Sequence, residues 1–240
     1  MDIKARIPNL IEKTKNSTPE EIIRVSYEEF GDRLKLASSL GEEDQILTHM
    51  ISKVAPEVNV FTLDTGRLFP ESYDLMQKTQ KRYPMDFEVF YPDTKSVEKM
   101  VKDKGINLFY ESVDNRKLCC GIRKVEPLKR ALGSVDAWIC GLRRAQSITR
   151  ATLKPFEWDE ANQKIKISPL AAWTLSEVRE YIDQERVDVN PLHSQGFVSI
   201  GCSCCTRAVQ AGEDIRSGRW WWEQPEQKEC GLHNRINFQI

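Results

Sequence analysis

The feature that most constrains the fold is the repeated order of short apolar runs and amphipathic stretches in the first half of the chain. The apolar runs at residues 34–39, 58–63 and 87–91 have the length and composition of buried strands. Each run is followed by residues with a helical spacing of apolar side chains, as at residues 70–83. Strands that alternate with helices predict an α/β fold, with a mostly parallel sheet covered by helices on both faces.

Helix starts are marked by two capping boxes, at residues 18–21 and 174–177, in which a threonine precedes a glutamate by three positions. We also expect a helix over residues 119–132. Because proline lacks the amide hydrogen of a regular helix, either a turn before Pro127 is irregular or the regular helix begins near it. A further buried strand is expected at residues 137–141. The alternation of strands and helices therefore continues into the second half of the chain.

The overall charge excludes some classes of partner. With 35 basic and 36 acidic side chains, the formal net charge is -1, which gives no electrostatic basis for binding nucleic acid or an anionic membrane. No segment reaches the ~18 unbroken apolar residues of a membrane span, and the charged amino terminus lacks the apolar core of a secretion signal. We therefore expect a cytoplasmic protein that binds neither nucleic acid nor membranes.

The chain has seven cysteines, an odd number that argues against a secreted disulfide framework. They are Cys119, Cys120, Cys140, Cys202, Cys204, Cys205 and Cys230. Four thiolates from the two clustered segments can hold an iron-sulfur cluster or a zinc ion, whereas Cys230 has no neighbour in sequence and can react. Because adjacent side chains point apart, Cys119 and Cys120 suit a cluster better than one zinc ion. Cys140 lies in an apolar run and is expected to be an inert buried side chain.

Two loops follow the first two predicted strands, at the edge of the sheet where α/β proteins bind ligands. Residues 38–41, Ser-Ser-Leu-Gly, offer hydroxyls and a helix amino terminus, which together can bind an anion through backbone amides. In the next loop, Asp64 can accept hydrogen bonds from ribose hydroxyls or orient Arg67. Neither loop has the glycine pattern of a Walker or Rossmann nucleotide site, so a different nucleotide-binding fold is needed.

Basic residues are concentrated between Arg116 and Arg150, where nine lysines and arginines occur with only two acidic residues. Guanidinium groups bind oxyanions in pairs and lysine supplies a point charge, so such side chains suit a phosphate or sulfate ligand. This local excess of positive charge indicates a site for an anion.

These segments are similar to those of the sulfonucleotide (PAPS/APS) reductase family, whose members make sulfite from adenylyl sulfate or its 3'-phosphorylated form. The matching motifs extend from about Ser38 to His233 and are, in order, SSLGEED, LDTG, CCGIRK, GLRR, NPLH, SIGC, GEDIRSGRW and ECGLH. The paired cysteines resemble the adenylyl-sulfate branch of this family, which carries a four-iron cluster. Cys204 departs from the pattern, since many relatives have proline there, and this extra thiol could compete as a ligand.

The resemblance implies an adenine nucleotide alpha hydrolase-like fold with a modified pyrophosphate loop. Because glycine, tryptophan and charge dominate after residue 190, we divide the chain into two parts. The first is a nucleotide-binding α/β domain at residues 1–189, which includes Cys119 and Cys120. The second is a short irregular carboxy-terminal segment at residues 190–240, which includes Cys202 and Cys205 and is expected to end in a mobile catalytic tail.

The resemblance also implies the roles of individual residues. Cys230 is the catalytic nucleophile. A [4Fe-4S] cluster is bound by Cys119, Cys120, Cys202 and Cys205. The substrate-binding residues are Ser38, Ser39, Gly41, Asp44, Asp64, Thr65, Gly66, Arg67, Lys124, Gly141, Arg143, Arg216, Arg219 and His233.

The implied reaction is the reduction of adenylyl sulfate (APS) to sulfite and AMP, in assimilatory sulfate reduction and cysteine biosynthesis. Cys230 would attack the sulfur and carry an S-sulfo group, which a thioredoxin or glutaredoxin would then release as sulfite. The 3'-phosphorylated substrate (PAPS) remains an alternative, used as well as or instead of APS. A homo-oligomer is compatible with the sequence.

Two other functions remain open at the level of the sequence. An ATP-pyrophosphatase-type sulfur-transfer enzyme is one, although residues 38–44 lack the serine- and glycine-rich loop expected to bind free pyrophosphate and Cys230 would have no role. A non-catalytic zinc-binding module is the other, and it would use the clustered cysteines purely for structure. The colour of the protein distinguishes iron and sulfide from zinc.

Overall fold

The computed structural model describes residues 2–146, 150–210, 212–214 and 217–224. The chain divides into two compact units. Unit 1 takes its residues from 2–62, 74–88 and 132–190, and unit 2 takes its residues from 63–73, 89–131 and the part of the chain after 190.

This division differs from the predicted one in where it assigns the middle of the chain. The predicted boundary near residue 190 coincides with the change of unit between Asn190 and Pro191. Residues 89–131, with Cys119 and Cys120, belong to unit 2 and not to the α/β unit. The physical reason is that side chains of this segment are buried against residues after 190, a long-range pairing that composition does not reveal.

Six strands form one sheet in the order β3-β2-β1-β4-β6-β5. The strands are β1 Leu34–Ala37, β2 Asn59–Leu63, β3 Phe87–Phe90, β4 Ala137–Ile139, β5 Phe156–Asp159 and β6 Lys164–Ile167. β1 pairs in parallel with β2 and β4, and β4 pairs in parallel with β6, while β5 pairs with β6 in the antiparallel direction. Leu36 lies opposite Val60 on one side and Ile139 on the other, and all three side chains are fully buried. The predicted α/β fold with a mostly parallel sheet is confirmed.

Eight α-helices accompany the sheet in the described part of the chain. They are α1 Ile7–Lys13, α2 Pro19–Phe30, α3 Glu42–Val54, α4 Pro70–Arg82, α5 Thr94–Lys104, α6 Val113–Cys120, α7 Glu126–Ala131 and α8 Leu175–Glu185. In unit 1, α2 and α8 both pack against α3, which is buried along most of its length. None of the described helices combines the length and hydropathy needed to span a bilayer.

Both predicted capping boxes are confirmed. At the start of α2, the Glu21 amide donates to the Thr18 Oγ1 at 3.3 Å and the Thr18 amide donates to the Glu21 Oε2 at 2.8 Å. Thr174 and Glu177 make the same pair of hydrogen bonds at the start of α8. Local side-chain chemistry therefore fixes these helix starts before tertiary packing is considered.

The helix predicted over residues 119–132 begins earlier and is interrupted. α6 starts at Val113, because the Ser112 side chain accepts a hydrogen bond from the Asn115 amide and caps the first turn. A π-helical turn, Gly121–Val125, then separates α6 from α7. The irregular turn lies just before Pro127, where the missing amide hydrogen weakens the regular pattern.

Three elements of unit 1 were not predicted: α1 and the antiparallel pair β5 and β6. α1 packs against β5, and the Lys4 Nζ lies 5.5 Å from the centre of the Trp158 ring. Both strands alternate polar and apolar residues, as in the Lys-Ile-Lys-Ile sequence of β6. The antiparallel strand β5 therefore forms one edge of the sheet, beside β6.

Candidate active site

The loop between β1 and α3 in unit 1 brings backbone amides to the end of a buried strand. The Ser38 amide donates to the Phe61 carbonyl at 2.8 Å and continues the pairing of β1 with β2. The Leu40 amide donates to the Ser38 Oγ at 3.2 Å, and Leu40 has a φ of 61°, a left-handed conformation that turns the chain sharply. Gly41 precedes α3 without a side-chain cap. The first turn of α3 therefore has backbone N–H groups that suit an oxyanion.

Asp44 ties this loop to the next strand of the sheet. Its Oδ2 accepts from the Ser39 amide at 2.7 Å and from the Ser39 Oγ at 2.6 Å. Its Oδ1 accepts from the Gly141 amide, two residues after β4, at 2.9 Å. The Asp44 side chain is buried, and burial raises its pKa to about 6 although these hydrogen bonds oppose the shift. Asp44 was predicted to bind substrate, but the structure gives both carboxylate oxygens partners inside unit 1.

Gly141 leaves the space that the Asp44 carboxylate occupies. A Cβ atom added at Gly141 would lie 2.5 Å from the Asp44 Oδ1 and 2.7 Å from the Glu43 Cβ. Real Cβ atoms essentially never come this close to another heavy atom. The chain can therefore pass α3 at this point only with glycine.

Arg143, also predicted to bind substrate, is likewise engaged inside unit 1. Its Nε and Nη2 donate to the Glu43 Oε1 at 2.9 and 2.7 Å, and its Nη1 donates to the Trp173 carbonyl at 3.3 Å. Only 4% of the Arg143 surface is exposed. The guanidinium thus ties the loop after β4 to the first turn of α3.

In unit 2, the loop after β2 is organised around the Asp64 carboxylate. The Asp64 Oδ1 accepts from the Gly66 amide at 2.7 Å and from the Tyr73 hydroxyl at 3.0 Å. The first contact makes a tight Asx-type turn, and Gly66 completes it with a φ of 69°, which favours glycine. Burial, together with Asp64, raises the pKa of Tyr73 to about 12. Tyr73 was not among the predicted residues, because no motif marks it.

Thr65 connects this loop to a cysteine. Its Oγ1 lies 3.2 Å from the Cys202 Sγ, and the two atoms share a hydrogen bond in the protein interior. The Thr65 carbonyl accepts from the Arg123 Nη1 at 2.6 Å. Arg123 was not a predicted site residue although it stands beside Lys124 in the CCGIRK motif. The Thr65 loop and the two cysteine segments therefore form one connected structure in unit 2.

Arg67 holds neighbouring loops of unit 2 together. Its Nη2 donates to the Ile106 carbonyl at 2.8 Å, its Nη1 donates to the Asn107 Oδ1 at 3.2 Å, and the guanidinium lies 5.1 Å from the centre of the Phe109 ring. The Arg67 carbonyl accepts from the Ser203 amide at 2.9 Å, between the cysteines of the second cluster. Arg67 therefore has structural contacts on its side chain and its backbone.

Four cysteines, here called the cysteine set, are neighbours in unit 2: Cys119, Cys120, Cys202 and Cys205. Three of them belong to one buried cluster with Trp220, and the fourth, Cys120, interacts electrostatically with Cys205. None of the six cysteines in the described residues is in a disulfide. Within that same part of the chain, no three His, Cys, Asp or Glu side chains are arranged as ligands of a single metal ion. The thiols converge without forming a one-ion site.

The extra cysteine, Cys204, also belongs to this neighbourhood. Its Sγ lies 3.8 Å from the Cys205 Sγ. Hydrogen bonds from Cys205 and Arg67 lower the pKa of Cys204, whereas donating to Cys204 raises the pKa of Cys205. Burial raises the pKa of Cys119, and the positive charge of Arg123 opposes that shift. Cys204 is therefore close enough to the set to act as a competing thiol.

Two predicted basic residues lie in unit 2 with the cysteine set. Lys124 is half-buried in the π-helical turn Gly121–Val125. The Arg219 Nη1 donates to the Ser199 Oγ at 3.1 Å, and its guanidinium lies 4.7 Å from the centre of the Trp220 ring. The predictions for Arg216, Cys230 and His233 fall outside the described residues.

The remaining cysteine, Cys140, lies in unit 1 just after β4. It is buried, and burial raises its pKa to about 11. The Cys140 Sγ lies 3.7 Å from the Ser168 Oγ. A thiol in this environment stays protonated at neutral pH, as expected for an inert cysteine.

Comparison with known families identifies one matching model, the phosphoadenosine phosphosulfate reductase domain, over residues 33–208. Among curated proteins, the adenosine 5'-phosphosulfate reductase of Burkholderia cepacia is 50% identical over 202 residues, which cover 84% of this chain and 81% of that protein. The protein of the same name from Allochromatium vinosum is 50% identical over 204 residues, covering 85% of this chain and 80% of the relative. The resemblance predicted from the motifs is thus confirmed.

A solved structure gives the same result for the fold. The phosphoadenylyl-sulfate (PAPS) reductase of Candida auris, in a phosphate complex, aligns with a TM-score of 0.72 and 30% identity. The alignment covers 83% of this chain and 95% of that one. The described sheet and helices therefore have the architecture of a sulfonucleotide-reducing relative.

We predict that Gly141→Ala lowers the free energy of unfolding by roughly 1–3 kcal/mol, because the new methyl group would overlap the Asp44 carboxylate and neighbouring α3 atoms. Urea denaturation followed by circular dichroism measures the change. The matched control is Gly121→Ala, where an added Cβ meets no atom within 4 Å. Equal effects of the two substitutions would show that the close approach of Gly141 to Asp44 is unimportant.

We also predict a pH-dependent effect of Asp44→Asn. Because the pKa of Asp44 is raised to about 6 in the folded state, its contribution to stability is fully present below the ~3.9 of an unfolded aspartate and lost as the pH rises through about 6. The destabilisation by Asp44→Asn should therefore be larger at pH 5 than at pH 7.5, on the order of 1 kcal/mol. Urea denaturation at both pH values measures it.

The control for this experiment is Asp93→Asn. Hydrogen bonds from Ser96 lower the pKa of Asp93, so its carboxylate is ionised in folded and unfolded protein at both pH values. The effect of this substitution should not change between pH 5 and pH 7.5. A constant effect of Asp44→Asn as well would contradict the raised pKa.

Proposed function

Since the chain belongs to the phosphoadenosine phosphosulfate reductase domain family, we propose that it is an adenylyl-sulfate reductase that uses a thiol donor. The observation that carries this proposal is the hydrogen bond between Thr65 and Cys202. It connects a loop of the family's nucleotide motifs directly to the cysteine set in unit 2. The alternative function, an ATP-dependent sulfur-transfer enzyme, does not account for a contact between this loop and the cysteine set.

The substrate is proposed to be adenylyl sulfate, as the names of the relatives from Burkholderia cepacia and Allochromatium vinosum suggest. In unit 1, the amides after Ser39 and at the start of α3 suit an anionic group of the nucleotide. Asp44 and Arg143 contribute by holding that loop in place, since their polar atoms have partners within unit 1. In unit 2, Lys124 and Arg219 supply positive charge for a sulfate.

The cysteine set is proposed to hold a [4Fe-4S] cluster. Its donor chemistry fits, because the thiols of Cys119, Cys120, Cys202 and Cys205 are neighbours and none is in a disulfide. The Trp220 Nε1 is buried beside them without a hydrogen-bond partner in the described residues, as expected where a sulfide acceptor would complete the site. When bound, the cluster would supply a fixed charge that organises the surrounding segments.

The reaction follows from two substitutions at sulfur. The Cys230 thiolate attacks the sulfate sulfur of adenylyl sulfate, the sulfur–oxygen bond to the phosphate breaks, and AMP leaves with the bonding electron pair. Cys230 then carries an S-sulfo group. Positive charge from Lys124 and Arg219 would offset the negative charge that accumulates when two anionic groups meet.

A dithiol protein completes the cycle. One of its thiolates attacks the Cys230 Sγ, and sulfite leaves with the electron pair of the sulfur–sulfur bond. The second thiol resolves the mixed disulfide and releases Cys230. The dithiol thereby loses two electrons and two protons, and the substrate sulfur gains the two electrons. We propose thioredoxin or glutaredoxin for this role, in the reducing environment of the cytoplasm, within sulfate assimilation and cysteine biosynthesis.

PAPS is the second candidate substrate, and one observation favours testing it. The solved structure from Candida auris is a PAPS reductase at 30% identity and a TM-score of 0.72. Comparing sulfite release from APS and PAPS with one dithiol donor decides between the two. Equal rates would show that the ribose 3' position is not discriminated.

We predict that Cys230→Ser lowers sulfite formation by roughly 10³-fold or more, because the thiolate forms the covalent intermediate. The direct measurement is mass spectrometry after incubation with ³⁵S-labelled adenylyl sulfate without reductant. The wild type should gain one sulfo group on Cys230, and the variant should gain none. Cys140→Ala is the matched control, and it should keep near wild-type turnover because that buried thiol has no proposed role. An adduct that survives Cys230→Ser would refute the assignment.

We further predict that protein purified without oxygen is brown and contains ~4 iron and ~4 acid-labile sulfide per chain. Cys119→Ser and Cys202→Ser should each lose most of this iron, because each removes one ligand. Cys204→Ser should retain the iron, since all four cysteines of the set are still present. A colourless protein that contains zinc would favour the structural module instead.

A further inference from the structure

Unit 2 contains a fully buried ion pair that the proposed chemistry does not use. The Arg116 Nε donates to the Glu223 Oε1 at 2.9 Å, and the Arg116 Nη2 donates to the Glu223 Oε2 at 2.7 Å. The two side chains are 1% and 2% exposed. Removing two charges from water is costly, and an apolar pair of similar volume often stabilises a protein as well or better. The pair therefore calls for an explanation other than stability.

Arg116 lies on the helix that carries the paired cysteines. It is in α6, one helical turn before Cys119 and Cys120. The Arg116 side chain makes paired hydrogen bonds to Glu223 and contacts the ring of Trp220, whose centre lies 4.8 Å from the guanidinium. α6 is thus attached to the segment of residues 217–224 through a geometrically specific contact.

Trp220 is held in a conformation that its neighbours must enforce. Its φ is 41°, which is unfavourable for a large side chain. The guanidinium groups of Arg116 and Arg219 both lie over its ring, 4.8 and 4.7 Å from the ring centre. Its amide donates to the Cys205 carbonyl at 3.1 Å, and its carbonyl accepts from the Glu223 amide at 2.8 Å. Strain of this kind persists only where the surroundings determine the geometry.

The same segment is joined to the second cysteine cluster by its backbone. The Arg207 amide donates to the Gly218 carbonyl at 2.9 Å, and Thr206 and Arg219 form an isolated antiparallel bridge. Both parts of the cysteine set therefore hold residues 217–224: α6 through Arg116, and the residues after Cys205 through the main chain. Glu223 belongs to this anchored segment.

The anchored segment comes shortly before the proposed nucleophile in the sequence. Cys230 follows Glu223 by seven residues. Reactions that need well-aligned atoms are sensitive to displacements of about 1 Å.

We infer that Arg116 and Glu223 are positioning residues for the sulfur transfer. Their ion pair attaches residues 217–224, which precede Cys230 in the chain, to the helix that carries Cys119 and Cys120. This inference rests on the proposed function. It assigns the buried charges to alignment of the nucleophile segment, with Trp220 as the side chain that both guanidinium groups contact.

The decisive variant is the double substitution Arg116→Met with Glu223→Met. It replaces the ion pair by apolar side chains that can fill the same space. The fold is therefore retained, while the paired hydrogen bonds between the guanidinium and the carboxylate are lost. We expect the single-turnover rate of S-sulfo formation on Cys230 to fall at least 10-fold at saturating adenylyl sulfate. The dissociation constant of AMP and the iron content should stay within twofold of the wild type.

The matched control is Glu126→Gln, which removes the exposed ion pair of Glu126 and Arg130 in the same unit. It should leave the adduct rate, AMP binding and iron content unchanged. A wild-type adduct rate in the folded double variant overturns the inference, because alignment would then not need the ion pair. Equal losses in adduct rate, AMP binding and iron also overturn it, because they indicate a general structural role.

A measurement on the wild-type protein covers the case in which the double variant does not fold. Amide hydrogen exchange should show the Trp220 and Glu223 amides protected as strongly as those of α6, since all belong to one anchored structure. Rapid exchange at these two amides overturns the inference. The failure of the proposed function looks different: the wild type itself would form no adduct on Cys230, while the exchange result would stand.

Discussion

The carboxylate of Asp44 is the contact on which the organisation of unit 1 depends where the loops after β1 and β4 meet. Parallel strands end on the same side of a sheet, so the loops after β1 and β4 are neighbours by topology alone. Topology does not fix their separation. Asp44 does so by accepting hydrogen bonds from Ser39 in one loop and Gly141 in the other. The neighbouring ion pair of Glu43 and Arg143 repeats the connection, so the amides at the start of α3 are held before any ligand arrives.

Unit 2 achieves the same preorganisation with sulfur and guanidinium groups. Thr65 contacts the Cys202 sulfur, Arg123 holds the Thr65 carbonyl, and Arg67 connects its loop to Ser203 by its backbone and to residues 106 and 107 by its side chain. These contacts bring together short motifs that are far apart in the sequence. A metal centre proposed here would join segments that already touch.

The sequence predicted the elements whose signals are local. The capping boxes at Thr18 and Thr174 fixed two helix starts, and the apolar runs located β1, β2, β3 and β4 to within two residues at each end. The alternating strands β5 and β6 were overlooked although their period of two residues is visible. The intramolecular partners of Asp44 and Arg143 could not be predicted from the sequence, because Gly141 and Glu43 are about 100 positions away from them. Arg116 and Glu223 are 107 positions apart, and no local pattern pairs them.

The antiparallel pair at the end of the sheet has a consequence for behaviour in concentrated solution. An exposed strand edge is a template on which another chain can pair and aggregate. β5 is only four residues long, alternates apolar residues with Glu157 and Asp159, and has α1 packed against it. β3, at the opposite edge, is equally short and carries Glu88, which binds the Lys35 ammonium. A strand added from a neighbouring molecule would find few residues to pair with and acidic groups in its path, so both edges disfavour pairing with another chain.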